Sequence, residues 1–307
     1  MISRPDEAPP RVTFVVPCYR SRRTIGFTLR SILNQQTSVS FEVLVVDSTE
    51  ESIADWLRTS FPSVRVVGSD VRLFPGAARN RGAERARGEF LAFLDADVVA
   101  SPNWLDGLLA ALRAEPGAVA GAAVENGNAQ TSSSRVQHWT EFSEFLPGSP
   151  RGRRSFLSSS NLLIRAESFH RAGGFPDNLP MSEDLVFFHH FSGGAVFENA
   201  VRVAHHHRSR WSDVLSHLKK LGYWGGYVRR DRDLRGSALR TFPAAAYLLP
   251  FYRTPLIVHR VWRSNRGDGV RAAVLSPMIL TATSFWSVGF MEGLRAARGG
   301  GNAHVRP

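Results

Sequence analysis

A single cysteine, Cys18, stands among 307 residues, so no disulfide can form within the chain and a reducing compartment is the expectation. An apolar leader is also missing. The opening MISRPDEAPPR reads as a short disordered lead-in over residues 1–10, not as a secretory signal. Internal repeats are absent, and the sole low-complexity tract is the glycine-rich stretch at 299–301, placed in a disordered tail over 299–307. The composition is not that of a disordered chain either: 43% hydrophobic and 10% aromatic residues suit a folded protein with a substantial core. Acidic residues are scarce in one part only. From Arg202 onward 18 Lys+Arg face 5 Asp+Glu, whereas the preceding residues hold 20 and 22. A basic surface attracts nucleic acid, anionic lipid or phosphorylated ligands, and charge alone does not choose among them.

The first half alternates two periods. Apolar, β-rich runs at Val12–Val16, Glu42–Val46, Val64–Val67, Phe90–Leu94 and Ala118–Val124 are separated by helix-like stretches near 24–35, 51–60, 77–87 and 102–114. Such alternation predicts an α/β fold with a mostly parallel central sheet covered on both faces. Ser101-Pro102 and Pro75-Gly76 read as helix openings, with proline at the first helical position. Residues 125–156 are polar and rich in Ser and Gly, which predicts a long loop or mobile flap. A strand-like run follows over Ser158–Ile164, then a tight turn at Gly173-Gly174-Phe175-Pro176. Glu183-Asp184 opens the apolar helical stretch Leu185–Phe191, and a last strand over Ala200–Ala204 delivers His205-His206-His207.

Ligands of open α/β sheets sit beyond the carboxyl ends of the strands. The first strand ends in Pro17-Cys18-Tyr19-Arg20, the second in Asp47-Ser48, the fourth in Asp95-Ala96-Asp97. Two aspartates one residue apart present carboxylates to one divalent cation, Mg²⁺ or Mn²⁺, which prefer oxygen ligands completed by substrate phosphates. A solvated turn is the bland alternative. Strand alternation puts His205 and His207 on one face and His206 on the other, and a polar strand end accounts for three histidines equally well. Cys18, at the end of a buried strand, reads as a small core residue. Arg151, Arg153 and Arg154 read as a solvated loop.

The ordered set Pro17-Cys18-Tyr19, Val45-Val46-Asp47-Ser48, Ala78-Arg79-Asn80-Arg81-Gly82, Gly88–Asp97, Gly173-Gly174-Phe175-Pro176 and Ser182-Glu183-Asp184 resembles the family 2 glycosyltransferases of the GT-A fold, over roughly residues 11–210. The resemblance implies inverting transfer of a sugar from a nucleotide-diphosphate donor to an acceptor hydroxyl, assisted by Mg²⁺ or Mn²⁺. It implies that Pro17, Tyr19 and Asp47 line the nucleoside pocket, that Arg79 and Asn80 lie close to the nucleotide, and that Asp95 meets the ribose or sugar. Asp97 and His205 would hold the metal, Glu183 and Gly174 would lie on the acceptor side, and Asp184 would be the general base. For Asp184 the simpler reading is a charge at a helix N-terminus. Ser48 stands where the family often has a second acid.

Residues 272–291 form twenty uncharged positions, AAVLSPMILTATSFWSVGFM, with arginines on both flanks. Together with the apolar stretch 242–259, broken by three prolines and Arg253, they predict a basic, membrane-associated helical region over 211–298, lying in the interface and anchored by Arg, Trp262 and Trp286, with a buried helical subdomain as the bland alternative. The expected partners are then a nucleotide-diphosphate sugar, a lipid-linked or membrane-proximal glycan acceptor and an anionic membrane surface, with the enzyme at the cytoplasmic face of the cell membrane. No nucleic-acid-binding motif accompanies the charge. A nucleotidyltransferase would carry a glycine-rich phosphate loop after the first strand, which Pro17–Arg23 does not resemble. A processive polysaccharide synthase typically carries Q-x-x-R-W, absent from His217–Trp224, so single-sugar transfer is expected.

Overall fold

The continuous apolar runs do become strands, and the computed structural model describes residues 9–296. Residues 1–8 of the expected lead-in and the whole tail over 299–307 lie outside the described residues. In chain order the strands are β1 (Val12–Cys18), β2 (Phe41–Asp47), β3 (Val64–Gly68), β4 (Phe90–Leu94), β5 (Val98–Ala100), β6 (Val119–Asn126), β7 (Gly152–Arg154), β8 (Asn161–Arg165) and β9 (Ala195–His205). The helices are α1 (Ile25–Leu33), α2 (Ala54–Ser60), α3 (Pro75–Ala83), α4 (Trp104–Ala114), α5 (Ser132–Phe142), α6 (Ala166–Arg171), α7 (Glu183–His190), α8 (Trp211–Arg230), α9 (Leu249–Ser264), α10 (Arg266–Val274) and α11 (Ser276–Arg295).

The described chain divides into two compact units. The first runs to Ala129 and adds Glu144–Asp177 and Glu183–His207; the second holds Gln130–Ser143, Asn178–Ser182 and the residues from Arg208 on. In the first unit the strand order is β3-β2-β1-β4-β8-β6-β9-β5, with β7 beside β9. Parallel pairing joins β3, β2, β1 and β4, and also β6 with β9. Antiparallel pairing joins β4 to β8, β8 to β6, β9 to β5 and β7 to β9. The sheet is therefore mixed, where the sequence pattern predicts a mostly parallel one. A strand buried on both faces is apolar throughout whichever way it runs, so Asn161–Arg165 carries no mark of its direction.

The polar stretch 125–156 is not a loop. β6 continues to Asn126, α5 occupies Ser132–Phe142, and β7 pairs with β9. Arg151 and Arg153 pair with Glu198 and Glu115, and Arg154 lies over the Phe197 ring. Ser101-Pro102 forms a turn ahead of α4, which starts at Trp104 with Asn103 as its N-cap. Pro75 does open α3.

In the second unit α8 and α11 run side by side in the same direction, and glycines set their spacing. A Cβ on Gly222 would lie 2.0 Å from the Trp286 carbonyl oxygen, and one on Gly289 2.0 Å from that of Lys219. Gly226 and Gly293, one turn on, meet backbone just as closely. Small residues four apart on both helices let the backbones touch, which larger side chains forbid. The uncharged run 272–291 is broken at Leu275, where α10 and α11 bend by 73°; Pro277 in the first turn of α11 fits a helix start there. Among the described residues no single helix is long and apolar enough to cross a membrane, although the bent pair meets that test by length and composition.

Candidate active site

β4, FLAFL, is buried along its whole length, so the chain first offers charge at Asp95. Ala96 turns into the core, and Asp95 and Asp97 flank it with side chains 28% and 40% exposed. β5 then pairs with β9 in a register that sets Val98 opposite His205. His205 Nε2 consequently lies 3.8 Å from Asp97 Oδ1. Ligand atoms of Asp95, Asp97 and His205 all fall within 4.8 Å of one another. Strand alternation holds through the histidines: the His205 and His207 rings stack at 4.6 Å, while His206 stacks on Phe27 at 6.0 Å.

Arg79, on α3, ties these acids to a second pair. It is 1% exposed, and its Nη2 donates to Asp95 Oδ1 at 2.5 Å while Nη1 donates to Glu183 Oε1 at 2.7 Å. Ser159 Oγ donates to the same Glu183 oxygen at 2.9 Å. Burial alone would lower the guanidinium's pKa, but the two carboxylates outweigh it and the net shift is upward. A buried ion triad of this kind holds geometry more than it adds stability.

Glu183 and Asp184 open α7, and the residue before them, Ser182, has the left-handed φ of 66° that costs a non-glycine residue energy. Asp184 Oδ1 accepts from the Leu185 N–H at 2.8 Å. Its carboxyl is pushed up to about 7, first by burial and then by the neighbouring Glu183 charge, which outweigh that hydrogen bond and the Arg79 charge. Gly174 sits at φ 71°, and a Cβ there would strike Asn80 Oδ1 at 2.6 Å. Asn80 fastens this turn to α3: its Nδ2 donates to the Phe175 carbonyl and Asp177, and its Oδ1 accepts from the Phe175 N–H.

At the neighbouring strand ends Cys18 of β1 is in register with Asp47 of β2. Asp47 is 2% exposed; Oδ1 accepts from the Thr49 N–H, and Oδ2 accepts from Ser52 Oγ and the Ile53 N–H, so it shapes the loop after β2. Pro17 is half-buried beside it. The Tyr19 hydroxyl donates to Glu50 at 2.7 Å, and the Arg72 guanidinium lies 4.4 Å over the Tyr19 ring. The Cys18 thiol is pushed up to about 12 by burial and by the Asp47 charge, which makes it inert at neutral pH.

Residues 13–173 match the family described as Glycosyl transferase family 2. The chain belongs to that family.

Among curated relatives it is similar to the succinoglycan biosynthesis protein ExoO of Rhizobium meliloti, 34% identical over 161 residues, covering 52% of this chain and 44% of that one. It is similar also to glycosyltransferase AglE of Haloferax volcanii, 27% identical over 185 residues, covering 57% and 59%. The chain thus spans about half the length of these relatives. Among solved structures it resembles the mannosyltransferase PcManGT from Pyrobaculum calidifontis in complex with GDP-Man and Mn²⁺, with a TM-score of 0.60, 17% identity, and coverage of 94% of this chain and 88% of that one. S. aureus TarS 1–349 in complex with UDP-GlcNAc gives 0.53 at 16% identity, covering 92% and 90%. At such identity these likenesses show the fold, GT-A, and nothing finer.

In this family 2 chain, Asp95, Asp97 and His205 come together at one edge of the sheet, and Arg79 links them to Glu183 and so to Asp184. Arg79 and Asn80 are engaged with protein groups, where the resemblance puts them close to the nucleotide; Asp95 stands with the metal-capable group as well as at the position expected to meet the sugar. Ser159, Glu50 and Arg72 were not legible in the sequence. A Ser-Ser-Ser run before β8 was the one available signal, for Ser159, because a serine hydroxyl can donate to a carboxylate.

Proposed function

We propose that this protein transfers one sugar from a nucleotide-diphosphate donor to the hydroxyl of a glycan acceptor, with inversion and with a divalent cation, Mg²⁺ or Mn²⁺. The observation that carries the reading is the grouping of Asp95, Asp97 and His205 at the strand ends, joined through the buried Arg79 to the Glu183–Asp184 helix start. The donor set fits the ion: two carboxylates and one imidazole suit Mn²⁺ well, and the exposure of Asp95 and Asp97 leaves them open to a diphosphate. A cation bound there supplies positive charge against which a departing diphosphate is stabilised.

The chain's own residues account for the rest. Inversion by direct displacement needs one base, because the diphosphate leaves without being protonated. The acceptor oxygen forms its bond to the anomeric carbon as the bond from that carbon to the diphosphate oxygen breaks, and the acceptor proton passes to an Asp184 carboxylate oxygen. A carboxyl with a pKa near neutrality is matched to that transfer. Glu183, fixed by Arg79 and Ser159, holds the start of α7 in place. Tyr19, Pro17 and the Asp47-shaped loop offer the surface for the nucleoside.

The names of the relatives, together with GDP-Man and Mn²⁺ in one structural neighbour and UDP-GlcNAc in another, support a nucleotide-sugar donor and a role in glycan biosynthesis. The acceptor in this reading is lipid-linked or membrane-proximal, and the enzyme works at the cytoplasmic face of the membrane. A thermal-shift screen of nucleotide sugars with and without Mn²⁺ tests the donor side. Stabilisation by UDP- or GDP-sugars that requires Mn²⁺ and disappears in Asp97→Ala is expected. Metal-independent binding that survives Asp97→Ala sinks the assignment.

A further inference from the structure

Exposed large hydrophobic side chains are distributed unevenly along the described residues. Apart from Phe27 and Val71 they all fall between Phe242 and Phe285, in the second unit. On α9 the buried positions Pro250, Thr254, Ile257 and Val261 recur every three to four residues and form one face. The adjoining flank, about a quarter turn round, carries Phe251, 68% exposed, and Trp262, 45% exposed. Gly269 lets α10 pack directly on Trp262, since a Cβ there would lie 2.6 Å from the Trp262 Cα. The next turn of α10 presents Val270 and Val274, the latter 73% exposed.

We infer that this α9–α10 face docks reversibly on an anionic phospholipid bilayer, lying in the plane of its interface. Charge selects this occupant. Between residues 242 and 275 five arginines face one acid, Asp268. Arg263 and Arg266 are exposed at the corner where α9 passes into α10. An apolar ridge edged by arginine and tryptophan matches the boundary between acyl chains and anionic headgroups. A monomer seldom leaves such a ridge uncovered. α11 gives its glycine face to α8, and no single described helix has the length and apolarity to cross. The inference deepens the proposed membrane-held acceptor and rests on that reading only for its purpose, because the surface belongs to the second unit alone.

Co-sedimentation of the full chain with vesicles tests it, using phosphatidylcholine alone and phosphatidylcholine with phosphatidylglycerol. Binding is expected on the anionic vesicles, weakened by salt. Arg263→Gln and Arg266→Gln should each lower the partition coefficient about fivefold, and Phe251→Ser about tenfold or more. All three positions are exposed, so Mn²⁺-dependent UDP and GDP binding, measured on the same samples, should not change. Lost lipid binding with intact nucleotide binding in the variants supports the face. Equal binding to neutral vesicles, retention through high salt and alkaline carbonate, or unaltered partition of the variants overturns it. So does a wild type that ignores both vesicles and self-associates through Phe251. Should wild-type nucleotide binding fail while vesicle binding behaves as expected, the transferase reading falls and the docking face stands.

Discussion

In the first unit charged residues are turned inward and paired: Arg79 is buried between Asp95 and Glu183, and Asp47 is buried against its own loop. In the second unit α8 and α11 meet in backbone contact through glycines, while Phe251, Trp262, Arg263 and Arg266 face outward. One region stores electrostatic order where chemistry requires fixed dipoles and charges. The other stores close packing and leaves its apolar and basic groups for a surface. The two should therefore fail differently.

Removing the charge between the acids should have the largest effect. Arg79→Met keeps the volume but leaves two carboxylates facing each other without compensation, which costs about 3–5 kcal/mol. Urea unfolding should show that loss, with Mn²⁺-dependent nucleotide binding lost as well; a near-neutral result would mean that the triad is not the support of the site. In the second unit the corresponding damage is steric. Gly289→Val drives a side chain into the Lys219 carbonyl and should cost about 3 kcal/mol. Gly289→Ala should cost less but still destabilise. Should both glycine variants melt with the wild type, the helices do not approach as described.

The remaining effect runs the other way. Folding raises the Asp184 carboxyl from 3.8 to about 7, so the folded state favours its protonated form. The associated stability is fully present below pH 3.8 and is lost as pH rises through about 7. Asp184→Asn cannot ionise, so it should be more stable than wild type at pH 8, by at most about 4 kcal/mol. The difference should shrink as the pH falls and vanish near pH 4. A stability gain independent of pH would mean that Asp184 carries its charge comfortably and is a helix-end residue.

Much of the first unit was readable because periodicity and strand-end chemistry are local. The apolar runs ending at Cys18, Asp47 and Leu94 mark where the sheet stops and ligands begin. α5 was hidden because its sequence, SSSRVQHWTEF, is buried nearly all round, polar Ser134, Gln137 and His138 included, and so shows no apolar stripe. Its Thr131 cap, accepting from the Ser134 N–H, looks from sequence like a turn. The direction of β8 depends on its neighbour β4, not on its own residues. The Arg79–Glu183 bond joins residues 104 positions apart, which no spacing rule reaches. In the C-terminal region twenty uncharged residues read as one continuous run, and the break between α10 and α11 showed only in Ser276-Pro277, the start of α11.

Asp184 as the base is the claim on which the rest depends, and one pair of measurements on Asp184→Asn addresses it. The variant keeps the size and most of the hydrogen bonding of the carboxylate but takes no proton. Donor affinity by calorimetry with Mn²⁺ should stay within about threefold of wild type, while turnover should fall about 10²-fold or more. The wild-type rate should rise with pH through about 7, as Asp184 loses its proton. Turnover close to wild type, or donor affinity falling as far as turnover, would contradict the account.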